Sequence, residues 1–179
     1  MPTTYTIQQV QQNLLNTMNW GVAHHTGFTY SEGNNRMTAV RKPFVLPITS
    51  DCSSWVTSLC FWNGLNDPNG LKFNGQGYTG TLLGHLPHID KKQVRVGDLV
   101  VYGAGTGDHV AMVANVDVNG NILTCSMGQN GDPSWCWVNK PVKPNAQFAH
   151  ITAVDGRTPQ TFLRTDLTVV GTVHVAPVA

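Results

Sequence analysis

The stretch "RVGDLVVYGAGTGDHVAMVANVDVNGNILTCSM", residues 95 to 127, leaves the chain the fewest choices. It holds three apolar runs rich in β-branched residues: 95–103, 108–118 and 122–127. Glycine-rich "AGTG" separates the first two, and "NGN" at 119–121 separates the last two. Connections this short return a strand alongside its predecessor, because a parallel neighbour would need a crossover of a dozen residues or more. Upstream the period changes. Ile7, Val10, Leu14 and Met18 recur at helical spacing within "TIQQVQQNLLNTMN" (6–19), which predicts an amphipathic helix. A second helix is predicted from a cap at Ser50 or Asp51 toward Asn63, with Gly64 as its stop, and a short third one near 79–84. Gly33, Pro43 and Pro47 leave 28–50 irregular. Helices first and an antiparallel sheet afterwards make the expected class α+β. The expected layout is one domain over residues 1–165 and an apolar tail, 166–179, acting as a strand arm or linker.

Charge removes several functions. The 11 basic and 10 acidic residues leave a net charge of +1, which argues against binding nucleic acid through phosphate neutralisation. Glu32 is the one glutamate, so long salt-bridged surface helices are not expected. The opening "MPTTYTIQQVQQNLLN" lacks a basic region followed by an apolar run, so no secretion signal is expected. No run approaches the 18 or so apolar residues that span a bilayer, and membrane insertion is not expected. Cys52, Cys60, Cys125 and Cys136 form no CxxC pair. Cys52 and Cys60 would lie about 12 Å apart along a helix axis, too far for a disulfide. Free thiols in a reducing cytosol are expected, with no cofactor. His85 and His88 have HxxH spacing but lack a third ligand nearby, so no metal is expected either.

Cys52 carries the chemistry. It would stand at the first turn of the second helix, where unpaired N–H groups and the helix dipole favour an anion. A thiol there is expected to titrate low and to be nucleophilic at neutral pH. Cys60, beside Phe61 and Trp62, reads as core packing. A nucleophile needs a base, and His109 opens a strand just after the glycine turn, giving the Cys/His pairing of thiol hydrolases. His24, His25, His85, His88, His150 and His174 read as surface or packing residues.

"DCSSWVTSLCFWNG" followed by "RVGDLVVYGAGTGDHVAMV" resembles the NlpC/P60 family of papain-like cell-wall cysteine peptidases. The segments "YSEGNNRM" and "DPNGLKFNGQGYTGTLL" are similar to versions carried by actinobacterial phages. The resemblance spans roughly residues 28 to 135. It implies N-terminal helices packed on an antiparallel sheet or half-barrel, and a peptidoglycan hydrolase cutting stem peptides between D-glutamate and meso-diaminopimelate. Cys52 would attack the carbonyl, and His109 would act as base and then acid. Backbone amides at the helix start, with the Tyr30 hydroxyl, would hold the oxyanion; Tyr30 reads equally as the anchor of its own loop. Asp51 and Ser53 would shape the entry, with Tyr78 and Thr79 in the groove. The partners would be peptidoglycan stem peptides and phage tail or virion proteins. The protein would be made in the host cytoplasm and act at the host wall, in lysis or in wall penetration. A catalytically weakened domain serving a virion structurally is the alternative.

The family's third polar residue sits on the strand after the catalytic histidine and fixes the imidazole. Met127 stands where a histidine is expected, and a thioether cannot do that work. With a two-residue turn at 119–120, Asn130 falls opposite His109. With a three-residue turn at 119–121, Gln129 falls opposite Ala111 on the face of His109, and Gln129 is the preferred candidate.

Overall fold

The computed structural model describes residues 4–128, 133–138 and 158–177. Helix α1 (Ile7–Ala23) starts at a reciprocal capping box, in which the Thr6 side chain accepts from the Gln9 amide and the Gln9 side chain accepts from the Thr6 amide. Helix α2 (Cys52–Trp62) starts at Asp51, and α3 is Thr79–His85. The described residues hold eight strands, in chain order β1 (Phe28–Tyr30), β2 (Ile48–Ser50), β3 (His88–Ile89), β4 (Leu99–Tyr102), β5 (His109–Val116), β6 (Ile122–Met127), β7 (Pro133–Trp137) and β8 (Gln160–Leu163). β3 to β8 form one antiparallel sheet in the order β3-β8-β4-β5-β6-β7. The α+β class and the antiparallel β4–β5–β6 meander thus stand as the sequence pattern requires.

Helix α2 is the axis of the molecule. Ten of its 11 residues are buried, because its surface is apolar or small on every side. Its buried hydroxyls are satisfied within the helix: Thr57 donates to the Ser53 carbonyl and Ser58 to that of Ser54, both at 2.8 Å. Trp20, Trp55, Trp62, Phe28 and Phe44 pack edge-on or tilted around it, and the Trp62 indole donates to the Val40 carbonyl at 2.9 Å. Gly21 lets α1 come this close, since a Cβ there would stand 2.5 Å from the Trp55 ring. Val101, Val110, Met112 and Ala114 supply the sheet face of this core, while Val100, Tyr102, Ala111 and Val113 line a second one.

Three features depart from the sequence reading. First, residues 28–50, expected to be irregular, contain a parallel pair, β1 with β2, that sets Tyr30 beside Ser50 just ahead of α2. Second, β8 inserts between β3 and β4, a placement that local pattern cannot announce. Third, residues 164–177 form no strand and are no free linker. Gly64 O accepts from Val170 N at 2.8 Å and Gly171 N at 2.9 Å, and Trp62 O accepts from His174 N at 2.8 Å. The segment thereby covers carbonyls at the C-terminal end of α2 that the helix cannot satisfy itself.

The β5–β6 connection also corrects the expected register. It holds five residues, 117–121, closed by Asp117 N to Asn121 O and Gly120 N to Asp117 O, and a bulge lies between Val113 and Asn115. Neither the two-residue nor the three-residue turn forms. Pairing runs from Val116↔Ile122 to Met112↔Cys125. Continued by that count, it sets Ser126, not Gln129, opposite Ala111, and Gly128, not Asn130, opposite His109. Gln129 and Asn130 lie outside the described residues.

Candidate active site

The start of α2 is built by its cap. Asp51 is extended, and its Oδ1 accepts from Ser54 N at 2.7 Å and from Ser53 Oγ at 3.0 Å. The Ser54 hydroxyl accepts from Asp51 N at 2.8 Å, completing the reciprocal box. Asp51 and Ser53 are buried and committed to each other, so they shape the site from inside rather than facing an open entry. The cap fixes Cys52 in the first turn, where the Val110 and Ser53 amides hydrogen-bond its sulfur. Even-numbered β5 amides turn away from β4, and that of Val110 reaches the thiol. His109 therefore begins its strand one residue from the amide that touches Cys52. The His109 ring itself lies 6.1 Å from that of Tyr102, which belongs to the second core, while Cys52 packs in the core around α2.

The electrostatics differ from expectation. Cys52 is only 7% exposed, and burial pushes its thiol up to about 12, with the Asp51 and Glu32 charges adding to the rise against the two amides that lower it. A helix start lowers a thiol when water can reach the thiolate; here dehydration and the anionic cap outweigh it. The resting thiol is protonated at neutral pH. Cys60, wholly buried, is raised by burial and by Asp67.

The Tyr30 hydroxyl donates to Glu32 Oε1 at 2.8 Å, the geometry of the loop anchor. Burial, that bond and the proximity of Cys52 push the phenol well above its ordinary range. Tyr78 is exposed at the N-cap of α3, its ring folded against Gly80. Thr79 is buried and donates to the Gly107 carbonyl at 3.2 Å, tying α3 to the glycine turn ahead of His109. Met127 is buried in the core that surrounds α2. Among the described residues no group of three His, Cys, Asp or Glu could hold a metal ion, and no helix is long and apolar enough to cross a membrane. A cavity of about 560 Å³ opens at the other end of α2, beside Cys60, Asp67 and His85. Its Asp67 carboxylate is already held by Asn69, Leu71 and Phe73, so the cavity presents no comparable chemistry.

Sequence reasoning missed Arg36. Its guanidinium donates to Ser53 Oγ at 3.2 Å and to Gly77 O at 2.6 Å, and lies 3.5 Å from Asp51 Oδ2. A lone cation in "YSEGNNRM", 15 residues before a buried acidic cap, was the available signal.

A thiol at the first turn of a buried helix, packed on an antiparallel sheet, defines a papain-like α+β domain. No protein-family model matches the chain, and no curated protein does. An NlpC/P60 family protein from Bacillus cereus shares the fold, with a TM-score of 0.52 at 16% identity over 91% of this chain and 41% of that one. The peptidoglycan hydrolase RipB from Mycobacterium tuberculosis aligns with a TM-score of 0.46 at 20% identity, covering 90% of this chain and 66% of that one. The P60 domain of an antigen from M. avium subspecies paratuberculosis aligns at 0.46 and 21%, covering 90% and 97%. The fold is that of an NlpC/P60 protein, and the chain spans less than half the length of the Bacillus protein.

Proposed function

We propose that the protein is a cysteine peptidase of the NlpC/P60 type that hydrolyses the stem peptides of peptidoglycan. What supports this reading is the Val110 amide on the Cys52 sulfur, one residue along β5 from His109, in a fold shared with an NlpC/P60 protein. In this reading His109 takes the thiol proton as substrate enters, and Cys52 Sγ attacks the carbonyl carbon. Amides at the start of α2 hold the oxyanion. The C–N bond breaks as His109 returns the proton to the leaving amine, and water then hydrolyses the thioester. We keep Gln129 as the candidate for fixing the imidazole on the sequence motif alone, since the β5–β6 register does not set it opposite Ala111. The bond we assign is D-glutamyl–meso-diaminopimelate, and the setting we assign is a phage enzyme made in the host cytoplasm and acting at the host wall. These finer points rest on the sequence motifs.

The high-titrating thiol favours a second reading, a weakened domain that binds stem peptide for a virion. Incubation with diaminopimelate-type peptidoglycan, followed by mass spectrometry of the released fragments, separates the two. New stem fragments, lost in Cys52→Ala and His109→Ala, are expected. Their absence from the wild type, or their persistence in Cys52→Ala, refutes the enzyme.

A further inference from the structure

Arg36 joins three parts of the chain. Its guanidinium reaches the Asp51 carboxylate at 3.5 Å, the Ser53 hydroxyl at 3.2 Å and the Gly77 carbonyl at 2.6 Å. Asp51 caps the nucleophile's helix. Gly77 ends the turn-rich segment from 66, immediately before exposed Tyr78. Gly77 is itself pinned on its other side, where an added Cβ would stand 2.5 Å from the Asn69 amide. The guanidinium side chain is 18% exposed and its Asp51 partner 11%, so this pairing is partly shielded from solvent. A planar fork can serve a carboxylate and a carbonyl at once, and an ammonium cannot hold that geometry.

We infer that Arg36 is a positioning residue for Cys52, locking the Asp51 cap to the Gly77 carbonyl just ahead of Tyr78. The inference rests on the hydrolase reading for its catalytic arm only. Asp51 must be anionic to cap α2, yet that charge lies one residue from the sulfur and opposes a thiolate. Arg36 offsets it. The titratable and charged groups that act on the sulfur are then Asp51 on the cap, Tyr30 and Glu32 from β1 and the loop after it, with Arg36 behind Asp51. The second service is mechanical, because the same guanidinium holds the carbonyl just before Tyr78.

The test compares wild type, Arg36→Gln and Arg36→Lys by two readouts. The first is iodoacetamide alkylation of Cys52 at pH 8, followed by peptide mass spectrometry with buried Cys60 as internal control. Arg36→Gln is expected to slow Cys52 about threefold or more and leave Cys60 unchanged, whereas Arg36→Lys keeps the charge and restores the Cys52 rate. The second is hydrolysis of stem peptide. There Arg36→Gln is expected to lower kcat about tenfold with KM within about threefold, and Arg36→Lys, lacking the fork to Gly77, to recover only part. An unchanged Cys52 rate, or Cys52 and Cys60 accelerating together as in a loosened fold, overturns the inference. If Arg36→Gln fails to fold, a wild-type kcat in Arg36→Lys overturns it. If the wild type cuts no peptidoglycan, the hydrolase reading fails and the alkylation arm alone decides Arg36.

Discussion

The resting Cys52 should be slow. A thiol titrating at about 12 is ionised to about 3 parts in 100,000 at pH 7.5, against about 9% for an ordinary thiol near pH 8.5. The ratio is about 3,000, and limited access to a 7% exposed side chain slows the reaction further. The perturbation is pH, and the assay is second-order alkylation of Cys52 in substrate-free protein, measured beside a cysteine-containing peptide. Cys52 should react at least about a thousandfold more slowly at pH 7.5, with a rate rising about tenfold per pH unit up to pH 9. Glu32→Gln removes one of the opposing charges and should raise the rate several-fold. His109→Ala should leave the resting rate within about threefold, because no thiolate is present for an imidazolium to stabilise. A wild-type rate within about tenfold of the peptide that collapses in His109→Ala would show a preformed thiolate–imidazolium pair. It would refute the argument that burial and the Asp51 cap dominate.

Three other outcomes follow from the same structure. Cys52 titrates higher folded than unfolded, so its contribution to stability is complete below pH 9 and is lost as pH rises toward 12; urea unfolding from pH 8 to 10.5 should show wild type losing more stability than Cys52→Ala, by up to about 2 kcal/mol at the upper end. Gly21→Ala adds a Cβ 2.5 Å from Trp55, and the clash should outweigh the helix-propensity gain of about 1 kcal/mol, lowering stability by about 1–3 kcal/mol in chemical denaturation. Gly107 has φ +78°, and its Cβ would stand 2.6 Å from the Val101 side chain; Gly107→Ala should displace the turn ahead of His109 and cut hydrolysis more than tenfold while α-helical circular dichroism is kept.

The parts legible in the sequence were those fixed by neighbours along the chain. The period of 6–19, the Asp51 cap with Gly64 as stop, and the apolar runs divided by glycine turns each carry their own instruction, and α1, α2, β4, β5 and β6 follow it. The places of Cys52 and His109 were legible for the same reason, since each starts its element as the pattern predicts. The burial of Cys52 was not. The rule that a helix start lowers a thiol assumes water at that end, and whether water is there depends on how β5 packs over it. The β5–β6 register was lost first at the connection, where Val116 pairs with Ile122, and then at the bulge between Val113 and Asn115, which moves every later partner by one more. Arg36 and β8 escaped because their partners, Gly77 and β4, lie 41 and about 60 residues away.

The position of β8 also bears on how the protein comes into being. Sequence order has β4 made long before β8, yet β8 is its hydrogen-bonded neighbour, and all four residues of β4 are buried. Until residue 163 has been synthesised, β4 presents an unpaired, apolar edge, and α2 lacks the segment that closes its C-terminal carbonyls. Folding must therefore wait for contacts of long sequence separation, which close slowly and leave an adhesive strand exposed meanwhile. The fold around Cys52 therefore depends on residues 160–163, and a nascent or truncated chain ending before Gln160 should aggregate.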